Sequence, residues 1–553
     1  MTVLNKIYGG AGCGKTHHLM QELEKLINAG TDVRSIAMMT LTRAARREFI
    51  ARAVVMSGND EKELRWFGTM HQITWRLLDL DYKENAVTAK RKKAFFESYE
   101  DEPSGKLPNI VKINEIRRNC MEENTKEGLL QTQRETGLEF VYRNRNGRFE
   151  YIDLDEIIEF GGAWEEFLNI EGLYDFTRMI EVAHSAVCGG DVEPPFSQMM
   201  VDEFQDFSPL QHALYVALSE HMENVWICGD DRQVIYRFAG ASPAFLIDDP
   251  VTPGHEYILP RTWRYGKNIL ENSLKYVRGL KIQKERDIEP AEHEGRVYSL
   301  RGNDWIEFLH RDGTTSAYLV RTNSQVPAII AELDAQGIVY GLLGKSNSQV
   351  ETLLRNYNTV AALERGDSVL VDDIRALIQN LPVTAEMVDA QTTIDGVQHV
   401  KKAQLLKRGI KTRIDDPTYL LSTTQDFFTG EEFADAFLAG WSWGDINLLN
   451  YIKGMNEFIR EKGVRFPEPF DMEIHHYVGT IHKFKGNEAD NVFLFRQMPY
   501  PISDRVLFDE RARDDERRCF YVGATRARHN LYEIDDYFFD YFGNVVPSVA
   551  EIL

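Results

Sequence analysis

The segment Gly9–Thr16, which reads GGAGCGKT, constrains the fold more than any other part of the sequence. It matches the pattern G-x-x-x-x-G-K-[ST], follows a short apolar stretch, and precedes apolar residues at helical spacing that stop at Gly30. Glycines let backbone N–H groups surround phosphate oxygens, and a lysine can reach the β- and γ-phosphates. The pattern predicts a strand, a phosphate-binding loop and a helix. The expected nucleotide ligands are Gly9, Gly12, Gly14, Lys15 and Thr16.

An acidic motif, VDEFQD at Val201–Asp206, follows another apolar segment. A phosphate-binding loop needs an acidic partner for its metal ion, and Asp202 together with Thr16 would hold Mg²⁺. Glu203 would orient and deprotonate the attacking water. A solvated acidic turn is the other interpretation of this acidic pair, and the preceding apolar strand favours the catalytic one.

Short apolar segments that end in polar residues recur along the chain and alternate with helical patterns. They are Ile36–Thr42, Met199–Asp202, Val225–Asp230, Ala317–Arg321 and Val478–His482. This alternation predicts an α/β fold whose parallel strands carry ligands at their carboxyl ends. Two regions lack this alternation of apolar segments and helical patterns, from about 79 to 160 and from about 346 to 474, and they are predicted to be inserted subdomains.

Length and composition limit the class of protein. A chain of 553 residues corresponds to about three or four domains. Its five cysteines are scattered without a CxxC or Cys/His cluster, which disfavours a zinc site and predicts a reduced, cytoplasmic environment. The sequence has no signal-peptide pattern and no apolar run of about 18 residues, so no membrane segment is expected. The net charge of −22 argues mildly against tight passive binding to nucleic acid.

Further segments, in order along the chain, resemble the motifs of superfamily 1A helicases of the UvrD/Rep class. They are TLTRAA at 40–45 (motif Ia), FGTMH at 67–71 (Ib), GDDRQVIYRF at 229–238 (III), Trp263-Arg264 (IV), 318–323 with 337–340 (IVa), VGTIHKFKGNE at 478–488 (V), and ERR with YVGATRA within 516–527 (VI). Together with the two motifs above they span nearly the whole chain, which makes coincidence a poor explanation.

The resemblance implies two RecA-like P-loop domains with parallel sheets and two inserted, mostly helical subdomains. The first RecA-like domain would comprise 1–78 and 161–250 around a 1B-like insert at 79–160. The second would comprise 251–345 and 475–553 around a 2B-like insert at 346–474. The implied activity is that of an ATP- and Mg²⁺-dependent DNA helicase moving 3′ to 5′ on single-stranded DNA. Single-strand/duplex junctions would be its substrates, and the chain would act as a monomer or weak oligomer.

The resemblance also assigns roles around the nucleotide. Gln233 would sense the γ-phosphate, and Arg264 and Arg526 would act as arginine fingers, because developing charge on the phosphoryl group needs cations. Trp263 would stack on adenine and Glu488 would contact the ribose hydroxyls. A core aromatic is the alternative interpretation of Trp263, and surface ion pairs are the alternative for the two arginines.

Roles on DNA follow in the same way. Phe238 would stack on a base, an interaction that tolerates any sequence. The resemblance gives strand contacts to Thr42, Thr69, His71, Thr480 and His482. Local caps, turns or core packing are the alternative interpretations. The basic segment at 143–145 could contact phosphates or form a solvated face.

The chain departs from the family pattern at several positions. Only eight residues precede Gly9, which leaves no place for the usual adenine-reading glutamine motif, so base specificity stays open. His17 and Ala239 stand where the family has Arg, with Arg237 as a candidate substitute for the second, and Leu41 stands where it has Phe.

Four other functions compete with a helicase. A motor subunit of a helicase–nuclease complex fits the motifs, although the roughly 25 residues after Arg528 cannot form a nuclease domain. A nucleic-acid-stimulated ATPase that remodels protein–DNA complexes is the second. A nucleotide-gated binding protein and an unrelated P-loop kinase or ATPase are the others. The presence of Lys15, Glu203, Arg264 and Arg526 favours an active motor.

Overall fold

The computed structural model describes residues 2–40, 43–99, 105–144, 149–310, 312–336, 338, 340–343, 355, 358, 369–370, 420–421, 474–538 and 546–551. The chain forms two compact units. Unit 1 comprises Met1–Phe308 and Phe484–Leu553, and unit 2 comprises Leu309–Lys483. Unit 1 therefore holds both the phosphate-binding loop and the acidic motif.

The described strands follow one another in this order along the chain. They are β1 (Val3–Gly9), β2 (Ile36–Thr40), β3 (Phe67–Thr69), β4 (Val141–Arg143), β5 (Phe149–Tyr151), β6 (Gln198–Val201), β7 (Asn224–Gly229), β8 (Glu256–Leu259), β9 (Arg296–Arg301), β10 (Ser316–Val320), β11 (Tyr340–Leu342), β12 (Val369–Leu370), β13 (Leu420–Leu421), β14 (His476–Thr480), β15 (Ala489–Phe495) and β16 (Ala527–Asp535).

The described α-helices lie between these strands. They are α1 (Lys15–Asn28), α2 (Arg43–Ser57), α3 (Met70–Leu77), α4 (Tyr82–Asn85), α5 (Ala89–Tyr99), α6 (Leu107–Asn119), α7 (Lys126–Thr136), α8 (Leu154–Ile170), α9 (Phe176–Gly189), α10 (Pro209–Ser219), α11 (Pro243–Asp248), α12 (Lys267–Val277), α13 (Val326–Ala335), α14 (Ile481–Phe484), α15 (Tyr500–Phe508) and α16 (Glu510–Ala524).

A parallel sheet with strand order β3-β2-β6-β7-β1-β8 forms the centre of unit 1. Successive residues of a strand point to opposite faces, and here both faces are apolar. Met38 and Met200 pack with α1 and α2 in one core cluster. Their neighbours Met39 and Met199 pack with α3, α9 and α10 in another. The sheet therefore lies between two helical layers, as parallel sheets require.

Helices α5 to α8 of unit 1 enclose a third core that is rich in aromatic rings. Phe95 lies at its centre and contacts Phe160 and Trp164 edge-on. The cluster continues past α8 to Leu173. Strands β4 and β5 form an antiparallel hairpin whose base joins the same core through Tyr142.

The remaining strands of unit 1 are parallel to one another, with β16 between β15 and β9. Trp305 is fully buried and packs edge-on against Phe493 and Phe495 of β15. In unit 2, β14 pairs in parallel with β10 and with β11. A short antiparallel pair, β12 with β13, is also described there.

The structure confirms the predicted α/β class with parallel sheets, which is consistent with two RecA-like domains. The five predicted strands are present within two residues of the expected bounds as β2, β6, β7, β10 and β14. The boundaries of the subdomains stay predictions: α8 runs across the one expected at 160, and nearly all of 346–474 lies outside the described residues. Among the described residues no helix is long and apolar enough to cross a membrane.

Candidate nucleotide site and nucleic-acid interface

The phosphate-binding loop joins the carboxyl end of β1 to the amino end of α1. Gly12 and Gly14 have φ of 70° and 79°, the left-handed region that favours glycine. A Cβ atom on Gly9 would lie 2.8 Å from Cγ of Lys15, so a side chain there would displace the lysine. The Lys15 ammonium donates to the carbonyl oxygens of Gly9 and Gly10 at 3.0 and 3.3 Å. The backbone of the loop therefore binds the ammonium group of its own lysine.

Lys15 is buried but remains a cation. Burial lowers the pKa of its ammonium, and the carboxylates of Glu203 and Asp230 more than offset that effect, so the net direction is upward. A buried ammonium held by two carbonyls and flanked by carboxylates is suited to meet phosphate oxygens.

Asp202 follows β6 and faces the start of α1. Its Oδ2 accepts a hydrogen bond from the Thr16 hydroxyl at 2.8 Å, and its Oδ1 accepts from the Cys228 thiol at 2.9 Å. Burial, followed by the charge of Glu203, raises the pKa of Asp202. A hydroxyl and a carboxylate at this separation are the hard oxygen donors that Mg²⁺ prefers, so these residues fit the expected ion.

Glu203 adopts a backbone conformation that is uncommon outside glycine, with φ of 55°. Its Oε2 accepts a hydrogen bond from the Gln205 amide. Burial raises the pKa of Glu203, but Lys15 and Lys485 outweigh that effect and the net direction is downward. Strained residues of this kind, at a cost of about 1–3 kcal/mol, concentrate at functional sites.

Gln233 joins a carboxylate to an arginine. Its Nε2 donates to Oδ2 of Asp230 at 2.6 Å, and its Oε1 accepts from Nη2 of Arg526 at 2.8 Å. Arg526 is fully enclosed, and burial together with the charge of Arg264 lowers its pKa to about 9, so it stays cationic at neutral pH. Sequence reasoning named Gln233 and Arg526 separately, and the structure brings them into direct contact.

Arg264 and Glu488, also named separately, form an ion pair with Nε–Oε2 at 2.5 Å. The same guanidinium donates to the backbone oxygen of Thr525 at 3.1 Å, beside Arg526. Glu488 also accepts from Nε of Arg528 at 2.9 Å. Burial raises the pKa of Glu488, and Arg264 and Arg528 together outweigh it, so the carboxylate is ionised.

Trp263 lies beside the phosphate-binding loop. Its backbone N–H donates to the oxygen of Gly12 at 2.9 Å, and the preceding Thr262 hydroxyl donates to the oxygen of Ala11 at 2.9 Å. The indole is 68% exposed, and the Arg261 guanidinium lies 4.8 Å from its centroid. An exposed ring at this position is not a core aromatic, which removes the alternative interpretation.

The structure places two of the predicted DNA contacts on α3 and its cap. Thr69 is the N-cap of α3, where its hydroxyl accepts from the backbone of Gln72, so the capping interpretation holds for its side chain. The His71 ring lies edge-on to Phe176 at 5.1 Å. Burial lowers the pKa of His71 to about 4, which makes it a neutral ring at physiological pH.

The other predicted DNA contacts are spread over both units. Phe238 is 40% exposed in unit 1, where the Lys112 ammonium lies 5.8 Å from its ring. Thr480 ends β14 in unit 2 and is buried, and His482 follows it, half-buried, on α14. Thr42 lies outside the described residues.

Two family models match this chain. Residues 2–250 match the UvrD/REP helicase N-terminal domain, and residues 475–532 match the UvrD-like helicase C-terminal domain. The chain belongs to the UvrD/REP helicase family. The resemblance drawn from its motifs is thereby confirmed, and the individual roles of its residues stay predictions.

Several curated helicases align along almost the whole chain. A probable DNA helicase II homolog of Mycoplasma pneumoniae is 23% identical over 97% of this chain and 82% of its own length. DNA helicase II of Escherichia coli is 24% identical over 95% of this chain and 81% of its own. The ATP-dependent DNA helicase PcrA of Bacillus subtilis is 22% identical over 95% of this chain and 80% of its own.

Sequence reasoning missed a buried cation of the candidate nucleotide site, Arg286. Arg286 pairs with Asp230 and, at 2.5 Å, with Asp231, and all three side chains are fully buried. Burial lowers the pKa of Arg286, but the two carboxylates outweigh the effect of burial, so the pKa of Arg286 is raised overall. No motif marks this arginine, because its partners lie more than fifty residues earlier in the chain.

A second cation, Lys485, stood inside the motif V segment without a role. Its ammonium pairs with Asp206, donates to the backbone oxygen of Gln233 at 2.7 Å, and lies 5.1 Å from the Tyr236 ring. Burial raises the pKa of Asp206 to about 6 against the opposing effect of Lys485. Asp206 is the last residue of the acidic motif, but nothing in the sequence paired it with this lysine.

Arg237 was the candidate substitute for the family arginine that Ala239 replaces. It pairs with Asp515 of α16 at 2.8 Å, and both side chains are mostly buried. The guanidinium is therefore engaged by protein, which argues against a free role for it on DNA.

Proposed function

We propose that this chain is an ATP-dependent DNA helicase that moves 3′ to 5′ along single-stranded DNA and couples hydrolysis to unwinding. The observation that carries the proposal is one continuous polar network in unit 1. It runs by hydrogen bonds from Thr16 of the phosphate-binding loop through Asp202, Glu203, Gln205, Asp230 and Gln233 to Arg526. The charge of Lys15 acts on Glu203 and Asp230 within the same network. The names of the relatives from Escherichia coli and Bacillus subtilis support helicase activity and the use of ATP.

Each side chain in this network has a chemical task. Lys15 and the loop N–H groups bind and orient the β- and γ-phosphates. Ionised Glu203 accepts the proton of the attacking water, which its lowered pKa permits at neutral pH. Arg264 and Arg526 neutralise charge that develops on the transferred group, an effect worth about 10³–10⁵ in rate. Mg²⁺, held by Thr16 and Asp202, would supply further charge neutralisation at the phosphates.

The DNA-facing part of the proposal rests on stacking and neutral contacts. Phe238 offers a partly exposed ring for a base, and His71 offers an uncharged one beside Phe176. Such contacts accept any base sequence, which a translocating motor requires. Trp263 offers its exposed ring to the nucleotide base, and Glu488 its ionised carboxylate to the ribose.

ATP hydrolysis should be measured without nucleic acid and with single-stranded DNA, duplex DNA or single-stranded RNA, at two salt concentrations. We expect strong, salt-sensitive stimulation by single-stranded DNA. Lys15→Ala should abolish turnover because the γ-phosphate loses its cation. Lys25→Ala is the matched control, since Lys25 is exposed and its ammonium pairs with Glu22 in the same helix.

Direction is tested on duplexes with one single-stranded tail. A 3′-tailed duplex should be unwound and a 5′-tailed duplex should not. Hydrolysis that no nucleic acid changes would contradict the proposal. Stimulation by single-stranded DNA without unwinding of either duplex would favour a motor that remodels protein–DNA complexes instead.

A further inference from the structure

The hairpin of β4 and β5 has two unlike faces. Phe140, Tyr142 and Ile152 belong to the aromatic core of the helical region. The strands are anchored there by the backbone bond from Ile152 N–H to the Phe140 oxygen at 2.8 Å. Because side chains alternate along a strand, Val141, Arg143, Phe149 and Tyr151 point the other way.

The outward face carries two aromatic rings and a guanidinium. Phe149 is 67% exposed and Tyr151 is 84% exposed, and they are two residues apart on the same strand. Arg143 lies directly opposite Phe149 in the hairpin register and is also exposed. Single exposed apolar side chains are ordinary, but two aromatic rings side by side with an arginine form a surface suited to a partner.

Charge indicates which partner. The described strands of the hairpin, 141–143 and 149–151, carry Arg143 and Glu150, in a chain whose net charge is −22. The Glu150 carboxylate accepts from the Tyr142 hydroxyl at 2.6 Å and from the Asn144 amide at 2.6 Å. Its register partner is Tyr142, so the negative charge lies on the anchored face and not beside Phe149. The outward face of the described strands thus carries the Arg143 guanidinium with two aromatic rings, which is the chemistry that binds unpaired bases and their phosphates.

We propose that the outward face of this hairpin binds single-stranded nucleic acid, with Phe149 and Tyr151 stacking on unpaired bases and Arg143 contacting a phosphate. This inference rests on the proposed function, because it adds a second contact surface for the same single strand. The Cα atoms of Phe149 and Tyr151 are about 7 Å apart along the strand, since each residue of a strand advances about 3.3 Å. That spacing leaves one ring face for each of two bases.

The test is fluorescence anisotropy of labelled oligothymidine and of a blunt duplex with the full chain and the double variant Phe149→Ala/Tyr151→Ala. Loss of two stacking contacts should weaken oligothymidine binding about tenfold or more and leave duplex binding within about twofold. Phe508→Ala is the matched control, because Phe508 is 90% exposed and lies outside the hairpin. A second variant, Phe149→Trp/Tyr151→Trp, keeps the rings and should restore binding.

Arg143→Gln should lower the slope of log affinity against log salt by about 0.7 for oligothymidine, the contribution of one phosphate contact. The inference is overturned if wild-type protein binds oligothymidine and the alanine double variant binds it equally well, which would indicate a protein partner for this face. Absence of binding and of ATPase stimulation in wild-type protein would instead contradict the proposed function. Unchanged thermal unfolding of the variants checks that the hairpin is intact.

Discussion

Arg286→Met removes the only cation that directly pairs with both Asp230 and Asp231 in the described ion pairs of unit 1. All three side chains have no exposed surface, so the variant leaves two carboxylates buried without their partner. Breaking a buried ion pair in this way costs about 3–5 kcal/mol, because the remaining charge stays desolvated. A domain is stable by only about 5–15 kcal/mol, so the loss should be large in urea unfolding followed by tryptophan fluorescence.

The pH dependence of that loss has a definite sign. In wild-type protein burial raises the pKa of Asp230, and Arg286 and Lys15 outweigh it, so the pKa lies below its ordinary value. A carboxyl with a lowered folded-state pKa stabilises the fold above the unfolded pKa and loses that contribution only in acid, so wild-type stability should be flat for this group between pH 5 and about 8. In the Arg286→Met variant, burial should dominate and raise the pKa of Asp230, so the free energy of unfolding of the variant should increase as pH falls from about 8 to 5.

Two further variants isolate the cause. Adding Asp230→Asn and Asp231→Asn to Arg286→Met removes the uncompensated charges and should recover much of the loss, since replacing a whole buried network is far cheaper than breaking it. Arg34→Met is the control, because Arg34 pairs with Asp32 at an exposed site and should leave unfolding close to wild-type. A variant as stable as wild-type, or one equally destabilised at pH 5 and 8, would refute the reasoning.

Three other predictions concern the site itself. Gln233→Ala should lower kcat more than it raises KM for ATP, because it removes the acceptor of Arg526 without touching the loop; an effect on KM alone in steady-state kinetics would contradict it. Cys228→Ala should raise the Mg²⁺ concentration needed for half-maximal ATPase about two- to tenfold, since Asp202 loses the hydrogen bond that fixes one oxygen, and an unchanged titration would exclude this. We expect wild-type ATPase activity to fall as the pH drops through about 6, because protonation of Asp206 frees Lys485, and Asp206→Asn should remove this pH dependence. A wild-type profile that is flat from pH 5 to 7 would argue against this prediction.

The sequence predicted the local parts of the fold well, because those parts depend on neighbours along the chain. The loop Gly9–Thr16 and the helix after it need only glycines at the right positions and an apolar stripe. Strands such as β6 are marked by continuous apolar residues that end at an acidic pair. The observed bounds of these strands differ from the predicted ones by one or two residues, since a strand ends where its neighbour stops pairing.

Pairings between distant residues could not be predicted. Arg286 joins Asp230 across 56 positions, and Lys485 joins Asp206 across 279. No periodicity links such residues, and charges of either sign are common on a chain with 64 basic and 86 acidic side chains. The same limit applied to Thr69, where spacing could not separate a helix cap from a strand contact and the structure gives the cap.

The cations proposed for ATP are all bonded to protein acceptors in this structure, and that fact bears on how the site works. Lys15 donates to Gly9 and Gly10, Arg264 to Glu488, and Arg526 to Gln233. Phosphate oxygens would therefore exchange for internal acceptors, and the net gain from each cation is the difference between two charge-assisted hydrogen bonds. Because Gln233 is also tied to Asp230, and Lys485 to Asp206, moving one acceptor disturbs the next. If a γ-phosphate took Arg526 from Gln233 of motif III, it would shift this arrangement only by the difference between its binding free energies to the two arrangements, and the exchange of one acceptor for another keeps that difference small.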